Sequence, residues 1–183
     1  MKFRINFWRK IEVNLRLRFF GNMEMERKIL EKLCQGRGAD IGCGSSKITS
    51  GCIGVDLTGH GQLGKLGCEK NQKSVADIKA SGDSLSMFNN DELDYIVAKH
   101  NLEHYRNPLN TLLEWKRVVR RGGKIGVVVP DDRYVNTMAL DPTHYSAFTP
   151  TILRELFFQA GIEVLEEGTA VKHWSIFLIG CKG

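Results

Sequence analysis

The chain has 183 residues, 42% of them hydrophobic and 26% charged, with a net charge of +5. That is the size of one soluble domain with a full core. It carries no apolar run of the ~18 residues that crossing a bilayer requires. The excess charge is local: residues 1–20 hold Lys2, Arg4, Arg9, Lys10, Arg16 and Arg18 against Glu12, and the rest is balanced.

Residues 1–21 read as a basic amphipathic segment and 22–183 as the folded domain. In the first segment Phe7, Ile11, Leu15 and Phe19 recur every four residues, as on a helix face. Ile11, Val13, Leu15, Leu17 and Phe19 also alternate, as in a strand. No turn residue interrupts the run, so a helix is expected, packed on the domain or a second subunit, or lying on an anionic membrane. Asn22 is then expected to cap a helix with Met25, Ile29 and Leu33 on its inner stripe, closed by Gly36 and Gly38.

The first strand is expected at Gly38–Ile41, running into Gly42 and Gly44. A second apolar run, Ile53 to Val55, ends in Asp56. Glycines after a buried strand permit a tight turn and close approach of a ligand. A carboxylate at the next strand tip is placed to accept from both hydroxyls of a ribose. A dinucleotide fingerprint requires a third glycine where this chain has Lys47. Asp40, two residues before Gly42, would repel a pyrophosphate but attract an ammonium or sulfonium.

Between Gly44 and Ile53 there is room for a turn but not for a crossover helix. Thr58–Lys73 carries Gly59, Gly61, Gly64 and Gly67 and reads as a loop. Ser74–Ala76 is expected as a short strand ending at Asp77. Leu93–Ala98 is a clear strand. Asn107-Pro108 opens a helix, which Gly122-Gly123 is expected to stop. Lys124–Val129 is nearly all β-branched, as in a strand buried on both faces. Thr149-Pro150 caps and opens the last helix, closed by Gly161. Ile162–Leu165 and Trp174–Ile179 complete the chain as a strand pair. This alternation implies an α/β fold with a mostly parallel, doubly wound sheet and an antiparallel strand near the C-terminal edge. The crossover helices of the first half are shortened.

The segment LDYIVAKHNLEHYRNPLNTLLEWKRVVRRGGKIGVVVPD, with DIGCG and GVD before it, resembles class I S-adenosylmethionine-dependent methyltransferases over roughly residues 37–165. The compact methyltransferases of the type 11 kind that accompany cell-envelope and polysaccharide biosynthesis are the most similar subgroup. The resemblance implies a single Rossmann-like domain with S-adenosyl-L-methionine as cofactor. It implies that Asp40, Gly42, Cys43 and Gly44 meet the methionine end. Asp56 and Leu57 would flank the ribose. Asp77 would accept from the adenine amino group and the Ile78 amide would donate to the ring. His100 would line the pocket.

Methyl transfer demands alignment and water exclusion more than a marked catalytic signature. His100, His104 and His144 are the candidate bases, with His100 and His144 preferred and His104 more readily read as structural. Glu103 is expected to pair with Arg117 or a backbone amide. Asp131 and Asp132 would orient a sugar hydroxyl, bind a cation or stay solvated. The N/D-P-P-Y tetrad of base-modifying enzymes is absent, its place reading Lys99-His100-Asn101-Leu102, so no nucleic-acid partner is expected. The expected acceptor is a small molecule or a glycan. The alternatives are a catalytically silent binding module of the same fold and a nicotinamide-dependent dehydrogenase. Five scattered cysteines with no C-x-x-C pair suggest free thiols and a cytoplasmic location, with membrane association through the basic segment. No metal-ligand spacing stands out among cysteines and histidines.

Overall fold

The computed structural model describes residues 23–64 and 70–183. The expected structure of segment 1–21 and the capping role of Asn22 lie outside the described residues. Among the described residues seven strands form one sheet in the order β3-β2-β1-β4-β5-β7-β6. They are β1 Gly38–Ile41, β2 Ile53–Asp56, β3 Ile78–Lys79, β4 Leu93–Lys99, β5 Val119–Pro130, β6 Ile162–Val171 and β7 Ser175–Lys182. The pairs β3-β2, β2-β1, β1-β4 and β4-β5 are parallel. β7 runs antiparallel to both β5 and β6. The expected fold class is the observed one.

Among the described residues four α-helices accompany the sheet: α1 at residues 23–31, α2 Pro108–Val118, the short α3 Thr137–Leu140 and α4 Pro150–Gln159. The period of two along β4 sends alternate side chains to opposite faces. Ile96 and Ala98 join the larger core under α2 and α4, with Trp115, Leu112 and Phe157. Tyr95 and Val97 join the smaller core under α1, with Leu30 and Leu33. Among the described residues no helix lies between β1 and β2 or between β2 and β4.

The caps form as the sequence expects. The Asn107 side chain accepts from the Asn110 amide and Thr149 from the Ile152 amide, each just before a proline. Both bonds satisfy amides that the first helical turn leaves unpaired.

Several boundaries are corrected. No strand forms at Ser74–Ala76: β3 begins after Asp77, because the Asp77 carboxylate turns back on the Gly54 amide at 2.7 Å and ladder pairing starts only at Ile78. Gly122-Gly123 does not end α2, whose C-cap is Val119; it lies inside β5 where the register with β4 shifts. Gly122 takes φ +73° there, a left-handed conformation that fits an irregular strand. The β6-β7 hairpin is longer than expected and turns at Lys172–Trp174. The buried face of α1 is also rotated. Met25 is exposed, whereas Glu26, Leu30 and Leu33 are buried. Among the described residues no helix is long and apolar enough to cross a membrane.

Candidate functional site

The carboxyl ends of β1, β2 and β4 meet around the loop that follows β1. Gly42 and Gly44 both take positive φ, +74° and +52°. A Cβ on Gly42 would sit 2.1 Å from Asn101 Nδ2, so the turn and the tip of β4 interlock only with glycine there.

Three carboxylates hold this loop. Asp40, buried in β1, accepts from the Ile48 amide at 2.7 Å. Asp56, at the tip of β2, accepts from the Gly44 amide at 3.0 Å and the Thr58 amide at 2.7 Å. Asp77 accepts from Gly54 at 2.7 Å and from Lys47 Nζ at 2.9 Å. Arg27 Nε of α1 donates to the Ile48 carbonyl at 2.7 Å, so both backbone polar groups of Ile48 are held. Asp40 and Asp56 therefore serve the loop through backbone amides and Asp77 through Lys47, and charge-assisted bonds of this kind are stronger than neutral ones.

The environments differ. Burial pushes the Asp40 carboxyl up to about 7, against the hydrogen bond from Ile48. Lys47 holds Asp77 below the ordinary carboxylate range, with help from the Gly54 amide. Burial and the nearby Asp40 push the Cys43 thiol up to about 12, leaving it an un-ionised wall. Leu57 projects beside Asp56, 69% exposed. Ile78 pairs with Val55, next to Asp56.

At the tip of β4, His100 has φ +50° and donates its amide to the Val128 carbonyl at 2.8 Å. Its ring stands between two carboxylates. Nε2 is 3.0 Å from Glu26 Oε1 and Nδ1 is 3.6 Å from Glu103 Oε1. Burial opposes the charged ring, but Glu103 and Glu26 outweigh it and raise the histidine to about 9. At neutral pH the ring thus carries its proton and is a donor. Glu26 is pushed up by burial and pulled down further by His100 and Ser175, ending below its ordinary value. Its Oε1 also accepts from Ser175 Oγ at 2.6 Å.

Residues 39–127 match the family model described as a methyltransferase domain. An uncharacterised protein of Methanocaldococcus jannaschii is 29% identical over 136 residues. That alignment covers 72% of this chain, and the chain spans 62% of the length of that curated relative. A SAM-dependent methyltransferase of Thermotoga maritima superposes with a TM-score of 0.65 at 18% identity, covering 93% of this chain and 96% of that one. One from Archaeoglobus fulgidus gives 0.59 at 16% identity, covering 90% and 94%.

The chain shares the fold of these methyltransferases.

Within that fold the remaining candidates fall in two places. His104 lies in a single 3-10 turn, Leu102–His104, and His144 in the segment between α3 and α4. Their rings meet edge to face, 4.6 Å between centroids. The segment is tied down because the Tyr145 and Ser146 amides both donate to the Glu103 carbonyl. Asp131 is buried and paired with Arg133 through both its oxygens, whereas Asp132 is exposed and accepts from the Thr137 amide.

The expected partner of Glu103 is corrected. Arg117 pairs with Glu114 in its own helix at 2.8 Å. Glu103 is fully buried, and neither carboxylate oxygen has a hydrogen-bond partner. Glu26, Lys47, Asn101 and Ser175 were not singled out as site residues from sequence. Only Lys47 gave a signal, as the departure from the third glycine. A glutamate in an amphipathic helix looks solvated until its distant partners are known.

Proposed function

We propose that this chain is an S-adenosyl-L-methionine-dependent methyltransferase acting on a small-molecule or glycan-type acceptor. The observation that carries the reading is the set of carboxylates Asp40, Asp56 and Asp77 gathered on one glycine-rich loop. The residues fit the cofactor. Gly42 and Gly44 open the backbone, Asp56 suits a ribose diol, and the half-exposed Asp77 suits an amino group.

When bound, S-adenosyl-L-methionine supplies an electrophilic methyl group on a sulfonium. The chain's own residues bind and orient. Asp40 braces the loop from beneath through the Ile48 amide, and Cys43 and Leu57 exclude water. His100, held protonated between Glu26 and Glu103, braces the tip of β4 and does not act as a base at neutral pH. His144, in the segment over the strand tips, is assigned to the acceptor side. The aromatic faces of Tyr134 and Tyr145, each about half exposed, support a sugar-like acceptor. The thiols of Cys34, Cys43, Cys52 and Cys181 are free, which supports a reducing, cytoplasmic compartment. The basic segment 1–20 is assigned to contact with an anionic membrane surface or a second subunit.

Calorimetry of the full chain with S-adenosylhomocysteine tests the cofactor assignment. Saturable one-to-one binding is expected, with no response to NADH. Absence of binding at millimolar ligand would overturn it, and NADH binding instead would restore the dehydrogenase alternative.

A further inference from the structure

We propose that Glu103, His104 and His144 form a site for a divalent first-row transition-metal ion at the acceptor end of the pocket. One ligand atom from each residue lies within 4.8 Å of the other two. Metal bonds of about 2.0–2.2 Å to nitrogen and oxygen set neighbouring ligands roughly 3–3.5 Å apart, so a small inward movement completes the shell.

The first argument is the state of Glu103. A fully buried carboxylate with no hydrogen bond to either oxygen is costly and calls for a specific cause. His100 does not supply it. Its Nδ1 stands 3.6 Å away, beyond hydrogen-bond reach, and its other nitrogen bonds Glu26. Two buried carboxyl groups face one imidazole, and only Glu26 is hydrogen-bonded to it. A metal ion beside Glu103 would give its oxygens the partner they lack.

The second argument is that both rings are already oriented. His144 Nδ1 lies 2.6 Å from the Thr137 carbonyl, an acceptor, so Nδ1 carries the hydrogen. His104 Nδ1 lies 3.0 Å from Thr143 Oγ1 and 3.3 Å from the Thr143 carbonyl. The Thr143 hydroxyl donates to Asp141 Oδ1 at 2.6 Å, leaving its lone pair to accept from His104. Each ring therefore offers Nε2 as a lone pair. Backbone carbonyls and an Asp-backed hydroxyl are the kind of outer partners that fix the tautomer of metal-bound histidines.

Two imidazoles and one carboxylate suit Zn²⁺, Mn²⁺, Fe²⁺ or Co²⁺ better than the all-oxygen preference of Mg²⁺ or Ca²⁺. Three protein ligands leave positions open for the oxygens of an acceptor, and an ion there would orient a hydroxyl and lower its pKa. That role rests on the methyltransferase reading; the metal site does not. No sequence spacing announces it, because the two histidines are forty positions apart.

The test uses the full chain, stripped with chelator and titrated with CoCl₂ by visible absorption and with ZnCl₂ by calorimetry. One equivalent of each is expected to bind, with a Co²⁺ spectrum free of thiolate charge transfer. His144→Ala, on a surface segment, should weaken Co²⁺ binding at least tenfold, and Glu103→Gln should do the same. Circular dichroism reads their folding. Absence of stoichiometric binding, a thiolate band, or unchanged affinity in folded His144→Ala would overturn the site. S-adenosylhomocysteine binding by the unsubstituted chain is read in parallel, so failure of the cofactor assignment shows separately.

Discussion

His100 makes the stability of this fold depend on pH in a direction that can be worked out. Its ordinary value is 6.5 and in the fold it is about 9. A group whose affinity for its proton rises on folding stabilises fully below the unfolded value and loses that contribution as pH climbs through the folded one. The window is therefore pH 6.5 to 9. A difference of about 2.5 units at about 1.4 kcal/mol each gives on the order of 3 kcal/mol. The perturbation is His100→Asn, because φ +50° excludes most side chains and asparagine tolerates it. Urea unfolding of both proteins is measured from pH 6 to 9.5. The unsubstituted chain should hold its advantage at pH 6 and lose most of it by pH 9.5. A constant difference between the two proteins across that range would refute the ion-pair account.

Two further outcomes concern the loop. Asp56→Asn removes a charge that serves two amides, so S-adenosylhomocysteine affinity should fall about tenfold or more, at roughly 1.5–3 kcal/mol per charge-assisted bond. Calorimetry checks it, and unchanged affinity would place the ribose elsewhere. Asp40→Asn keeps an acceptor for Ile48 but removes a buried charge whose pKa is raised. Its stability relative to the unsubstituted chain should therefore grow by about 1 kcal/mol or more as pH rises from 4 to 7, then level off. A gain that shrinks with pH would reverse the sign of the argument.

The elements with local signatures were the legible ones. β4 and β5 are apolar runs, and α2 and α4 open with a capping side chain and a proline. The loop acids were legible because each sits at or beside a strand end. What escaped depends on contacts far along the chain. Glu26 is buried because His100, 74 residues on, and Ser175, 149 residues on, receive it. Met25, with the same helical spacing to Ile29 and Leu33, faces out instead. The strand expected at Ser74–Ala76 failed for a similar reason. The Asp77 carboxylate competes for the backbone of β2, and apolar patterning does not register that competition. The meeting of His104 with His144 needs the segment after α3 to fold back over the tip of β4.

The bond between Glu26 and His100 reaches outside residues 39–127, which match the family, and pins an outer helix to the pocket. Relatives that keep the domain but change the histidine should change the glutamate in step, since either alone strands a charge. Swapping the leading helix between two such proteins should therefore succeed only when position 100 is exchanged with it.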